Sequence, residues 1–219
     1  MRTLVLVRHG ETVGNSSIRY HGRTDVVLSD LGRSQMRAAR RWLRDNLEPA
    51  SFAPVIASPL RRASESAAII AGDDLPVVEI EDFVEVDFGR FEGLTAEEIR
   101  ERYPADFERW NRDRLNPAFT YPEGESRADF TKRVERGIQR MLDLIDRAAY
   151  PLRALRGSAN GDAALVVAHR GVIRIIANRL AGVEPQIELG SINILQRATP
   201  ADPWRAKSVD ILEHLAALN

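Results

Sequence analysis

Apolar residues crowd into short uninterrupted runs, separated by longer stretches with helical spacing. Thr3 to Arg8 is the first run, valine-rich and followed closely by a glycine, which predicts a strand buried on both faces. Pro54 to Ser58, then Val77, Val78 and Ile80, then Ala163 to His169 predict three more strands. Ile192 to Leu195 and Ser208 to Leu212 are weaker strand signals near the C-terminus.

Between these runs the apolar period changes to that of a helix. Ser29 caps a helix whose apolar face is Leu31, Ala38, Ala39, Trp42, Leu43 and Leu47, closed by Pro49. A second runs from about Leu60 to Ala71, where Gly72 stops it. Thr95 with Glu98 three residues on forms a capping-box pattern. Ser126 starts the longest helix, with Phe130, Val134, Ile138, Met141, Leu142 and Ile145 on one face. Tyr150 to Asp162 reads as a surface loop, and 171–181 as a last helix ended by Gly182. Strands alternating with helices predict an α/β fold around a mostly parallel sheet. The stretch from about Gly89 to Glu125 breaks the alternation and is expected to be a helical excursion over one end of the sheet.

Composition narrows the chemistry. The 219 residues fit one large domain, or a domain with a subdomain. Lys+Arg 31 against Asp+Glu 32 leaves a net charge of −1, which argues against a general grip on nucleic acid or an anionic membrane. There is no cysteine, so disulfides, thiolate metal sites and thiol nucleophiles are excluded. Histidine chemistry must come from His9, His21, His169 and His214. No apolar stretch reaches membrane-span length, and the start MRTLVLVRHGE lacks a signal-peptide core, so a cytoplasmic location is expected.

In parallel sheets ligands bind beyond the carboxyl ends of the strands. There the sequence places Arg8 to Thr12, Ser58 to Arg62, Glu85, and His169 to Gly171. Arginines and histidines around a concave edge form an anion site, and guanidinium forks match phosphate oxygens. A neutral imidazole can attack phosphorus, arginines can stabilise the transferring group, and Glu85 is the nearest acid able to protonate a leaving alkoxide. Each residue alone has a plainer reading. His169 could be a satisfied polar residue, Arg8 or Arg61 a surface ion pair, and Glu85 part of a solvated acidic patch.

The residues RHGET at 8–12, followed by Asn15, resemble the signature of the histidine phosphatase superfamily, the phosphoglycerate-mutase-like group. GRTDVVLSDLGRSQ at 22–35, ASPLRRASESA at 57–67, EVDFGRFEG at 85–93, YPEGES at 121–126 with Arg133, and AHRGVIR at 168–174 resemble its further motifs, in order, between about Thr3 and His214. The resemblance implies a three-layer α/β/α sandwich over residues 1–219, with the helical excursion at about 93–125. It implies His9 as the nucleophile and Glu85 as general acid and later base. Arg8, Arg61, His169 and Asn15 then form the phosphate pocket, and no metal or other cofactor is needed. Thr24 and Arg170 become candidate substrate contacts. Arg170 stands where the family commonly has a small residue, and it either reaches into the cavity or faces solvent. Arg19, Arg90 and Arg174 are further candidates, while His21 and His214 read as structural or surface residues. Val27, Ser66 and Glu123 depart from the family's common proline, threonine and glycine.

Three functions remain in play. The first is a phosphomonoesterase acting on a small phosphorylated metabolite. The second is a 2,3-bisphosphoglycerate-dependent phosphoglycerate mutase using the same intermediate. The third is a phospho-ligand-binding module without catalysis. EVDFGRFEG resembles phosphatase members more than mutases, and the excursion leaves little room for a mutase lid. A dinucleotide-dependent dehydrogenase is disfavoured, because no G-x-G-x-x-G follows the first strand. Oligomeric state has no readable signal.

Overall fold

A computed structural model describes residues 1–47, 52–72, 75–156 and 163–218. Four parallel strands form the middle and one flank of a six-stranded sheet: β1 (Arg2–Arg8), β2 (Phe52–Ala57), β3 (Val77–Glu79) and β4 (Ala163–Ala168). Antiparallel β5 (Ile192–Arg197) and β6 (Arg205–Ile211) complete the order β3-β2-β4-β1-β5-β6. The outer strand β6 is mostly exposed and carries Arg205 and Lys207, charges that discourage edge-to-edge pairing.

The continuous apolar runs are explained by helices on both faces. Leu4 and Leu6 of β1 face one core, while Val5 and Val7 face the other. Val166 and Ala168 of β4 alternate with Leu165 and Val167 in the same way. All four β1 residues are fully buried, each contributing roughly 1.5–3 kcal/mol relative to exposure. On one face lie α1 (Asp30–Asn46) and α2 (Arg61–Ala71). On the other lie α5 (Arg127–Arg156) and α6 (Arg170–Ala181). This is a three-layer α/β/α sandwich. The short helices α3 (Ala96–Arg102) and α4 (Pro104–Asp113) occupy the excursion and send Ile99 and Trp110 into the second core.

The expected caps form. Ser29 accepts the Gly32 N–H at 3.1 Å, and Thr95 and Glu98 make a reciprocal capping box. The loop expected over 150–162 is corrected in part. Helix α5 continues to Arg156, through Pro151, while 157–162 lie outside the described residues, as does Pro49. A proline costs a helix one backbone hydrogen bond, and the flanking Ala, Leu and Arg residues are strong helix formers.

Candidate active site

Strand register brings the chemistry together. Arg8 pairs with Ala168, and the His9 N–H donates to the Ala168 carbonyl at 3.1 Å. The next residues on the two strands, His9 and His169, therefore emerge side by side. Their rings meet edge to face, centroids 5.2 Å apart. Ser58 leaves β2 at the same level, its N–H donating to the Val167 carbonyl at 3.1 Å.

The His9 ring is oriented by its own backbone: Nδ1 lies 2.8 Å from the Gly10 carbonyl, which fixes the Nδ1–H tautomer. Nε2 makes no hydrogen bond among the described residues, and His9 forms part of the wall of an open cavity of about 760 Å³. His169 Nε2 sits 2.8 Å from Ser58 Oγ, while its buried Nδ1 has no partner among the described residues. Burial, then the charges of Arg62 and its neighbours, hold both histidines well below the usual imidazole range. Both rings are therefore neutral at neutral pH.

Among the described residues the Arg8 side chain is anchored by one hydrogen bond, NH1 to the Ile187 carbonyl at 3.0 Å. Burial, then the nearby Arg170 charge, push its guanidinium down to about 10, against the opposing carboxylates Glu85, Glu188 and Glu11. It stays a cation under ordinary conditions, with its Nε buried and without a partner among the described residues.

Glu85 follows a 3-10 turn (Glu81–Phe83) beyond β3. It is 7% exposed and accepts N–H groups from Val86 and from Gly171, each at 3.0 Å. A Cβ at Gly171 would stand 2.6 Å from Glu85 Oε1, so this close approach requires glycine. Arg133 on α5 holds the segment from behind. It donates to the carbonyls of Asp82, Val84 and Glu85 and pairs with Glu125.

The structure brings Arg8, His9, Glu85 and His169 together, but it does not bring Arg61, Asn15 or Thr24. Arg61 is exposed at the start of α2, its N–H donating to Asp25. The arginine beside the histidines is Arg62, fully buried, which donates to the carbonyls of His21, Gly22 and Thr24. Of the neighbouring charges, that of Arg62 acts most strongly on both rings. Helical phase carried the signal: Arg62 shares the buried face of Ala63, Ser66, Ala67 and Ile70. Asn15 is exposed in a left-handed turn (φ +61°), its carbonyl taken by the N–H groups of Ile18 and Arg19, and it does not line the cavity. The Thr24 hydroxyl donates to Glu92, also away from the cavity wall.

Both readings of Arg170 hold. It borders the cavity, yet it is exposed and tied to the Gln186 carbonyl and Glu188. Arg19 and Arg174 also line the cavity, Arg19 paired with Glu98 at 2.6 Å. Arg90 does not, being engaged with Glu123 and Asp106. His21 lines the cavity as well, while His214 packs remotely against Trp42. Tyr20, Phe88, Trp110, Tyr121 and Phe130 give the cavity an aromatic wall. Among the described residues, no group of three or more His, Cys, Asp or Glu side chains is arranged to hold a metal ion, and no helix is long and apolar enough to cross a membrane.

The family model of the histidine phosphatase superfamily (branch 1) matches residues 4–199. The chain belongs to this superfamily. It is 30% identical over 220 residues to the uncharacterized phosphatase PhoE of Bacillus subtilis, covering 99% of this chain and 98% of that one. The crystal structure of the alpha-ribazole phosphatase of Shigella flexneri has the same fold, with TM-score 0.76, 24% identity, and 95% and 96% of the two chains covered. A mycobacterial glucosyl-3-phosphoglycerate phosphatase aligns with TM-score 0.72 at 25% identity, over 96% of this chain and 99% of that one. This superfamily member thus has relatives named as phosphatases along nearly its whole length.

Proposed function

We propose that this histidine phosphatase hydrolyses a small phosphorylated metabolite through a phosphohistidine on His9, without a metal. The observation that carries the reading is the 2.8 Å contact of His9 Nδ1 with the Gly10 carbonyl. It commits the ring proton to Nδ1 and leaves the Nε2 lone pair as nucleophile near the buried Arg62 and the half-buried Arg8.

In the first step Nε2 attacks phosphorus, the bond from phosphorus to the leaving oxygen breaks, and Glu85 gives that oxygen a proton. In the second, the Glu85 carboxylate takes a proton from water, whose oxygen attacks phosphorus. The phosphorus–nitrogen bond breaks, freeing phosphate and restoring His9. Arg8, Arg62 and the free Nδ1 of His169 serve the equatorial oxygens, where charge develops. In this reading the Ser58 hydroxyl, 2.8 Å from His169 Nε2, donates to it, and the ring carries its proton on Nδ1 as a donor. The relatives named as phosphatases support hydrolysis over return of the phosphoryl group to a substrate.

Rapid acid-free quenching with a 32P-labelled phosphomonoester tests the reading. Acid-labile, alkali-stable label on the protein, abolished in His9→Ala together with phosphate release, is expected. Wild-type turnover in His9→Ala overturns it.

A further inference from the structure

The segment 186–188 carries a conformation its residues do not favour. Ile187 is fully buried with φ +58°, a left-handed backbone that a β-branched residue adopts only when its surroundings enforce it. Asp210 on β6 enforces it. Its two carboxylate oxygens accept the N–H groups of Gln186 at 2.8 Å and Ile187 at 2.9 Å. Asp210 is itself left-handed (φ +54°) and sits where the β5–β6 register shifts, the kind of irregularity that re-aims a side chain. The buried Asn193 side chain holds it there, accepting the Asp210 N–H at 2.9 Å.

The carbonyls of the two captured residues accept from arginines that line the cavity. That of Ile187 is the anchor of Arg8, and that of Gln186 accepts Arg170 Nε at 3.0 Å. We propose that Asp210 is a positioning residue: by pinning Gln186 and Ile187 in a strained turn, it sets the guanidinium of Arg8 against the phosphoryl group and that of Arg170 at the cavity mouth. The proposal rests on the phosphatase reading above. It follows from the anchoring of the Arg8 guanidinium, whose one hydrogen bond to the described residues leaves its direction dependent on one carbonyl. Without the carboxylate, Ile187 relaxes to negative φ and its carbonyl swings away.

The test compares wild type, Asp210→Ala and Asp210→Asn for orthovanadate affinity by calorimetry, for kcat and KM on p-nitrophenyl phosphate, and for Tm. Asp210→Ala should weaken vanadate binding and lower kcat/KM by about tenfold to a hundredfold, the scale of a displaced phosphate-binding group. Asp210→Asn keeps one acceptor and faces the second backbone N–H with an amide, so it should lose part of that. A lowered Tm with unchanged vanadate affinity in Asp210→Asn makes the residue merely structural and overturns the proposal, even if Asp210→Ala does not fold. A wild-type protein that neither binds vanadate nor releases phosphate refutes the phosphatase reading itself.

Discussion

His9 and His169 stand edge to face with ring centroids 5.2 Å apart and planes inclined at 63°, each delivered by the end of a parallel strand. Two imidazoles this close, buried beside Arg62 and Arg8, are held neutral.

That neutrality has a stability consequence. The unfolded chain takes up protons on these histidines near pH 6.5, whereas the folded protein resists until well below it. Between those limits the unfolded state binds more protons, so stability rises with pH and is lost as pH falls below about 6.5. Each histidine contributes a slope of up to about 1.4 kcal/mol per pH unit. Thermal melts from about pH 8 to about pH 5.5, without phosphate, should show Tm falling at the acid end, less steeply in His169→Asn. A flat Tm across that range would contradict the burial argument.

The two adjacent arginines of α2 should separate cleanly. Arg62→Ala removes a buried cation from the histidines and leaves three carbonyls without a donor. It should cost about 10²- to 10³-fold in kcat, and the buried Gly22 carbonyl left without its donor about 1–3 kcal/mol of stability. Arg61→Ala, at an exposed position, should leave both within roughly twofold and about 0.5 kcal/mol of wild type. Steady-state kinetics with denaturant melts decide, and the reverse ranking would return the role to Arg61.

Glu85 and Gly171 should share a phenotype. Glu85→Gln removes the proton donor, slowing alkyl phosphates by about 10²- to 10⁴-fold and p-nitrophenyl phosphate much less. Gly171→Ala places a methyl 2.6 Å from Glu85 Oε1 and 2.9 Å from the Phe130 ring, displacing the same carboxylate. A plot of log kcat against leaving-group pKa should steepen in both. Parallel lines for wild type and Glu85→Gln would remove Glu85 from the acid role.

Local patterns predicted most elements because local physics makes them. Ser29 and Thr95 cap as expected, since a side-chain oxygen three residues from an orphan N–H needs no tertiary partner. Helix α5 outran its expected end, because Pro151 and the residues around it read as loop, whereas a helix already nucleated can pass a proline at a cost. In the site, the strand-end residues His9, Glu85 and His169 were legible. The resemblance put Arg61 in the phosphate pocket, whereas the phase of α2 exposes Arg61 and buries Arg62.

The sequence by itself determined the alternation of strands and helices, the edge of the sheet where polar residues would gather, and the histidines available for chemistry. Those follow from periodicity and residue type, which are properties of neighbours along the chain. Only the tertiary structure decided which arginine turns inward, that Thr24 spends its hydroxyl on Glu92, and that Asp210 reaches back to the turn whose Ile187 carbonyl accepts from Arg8. Each of these joins groups far apart in sequence, and such contacts exist only once the sheet has set its register and the cores have closed around it.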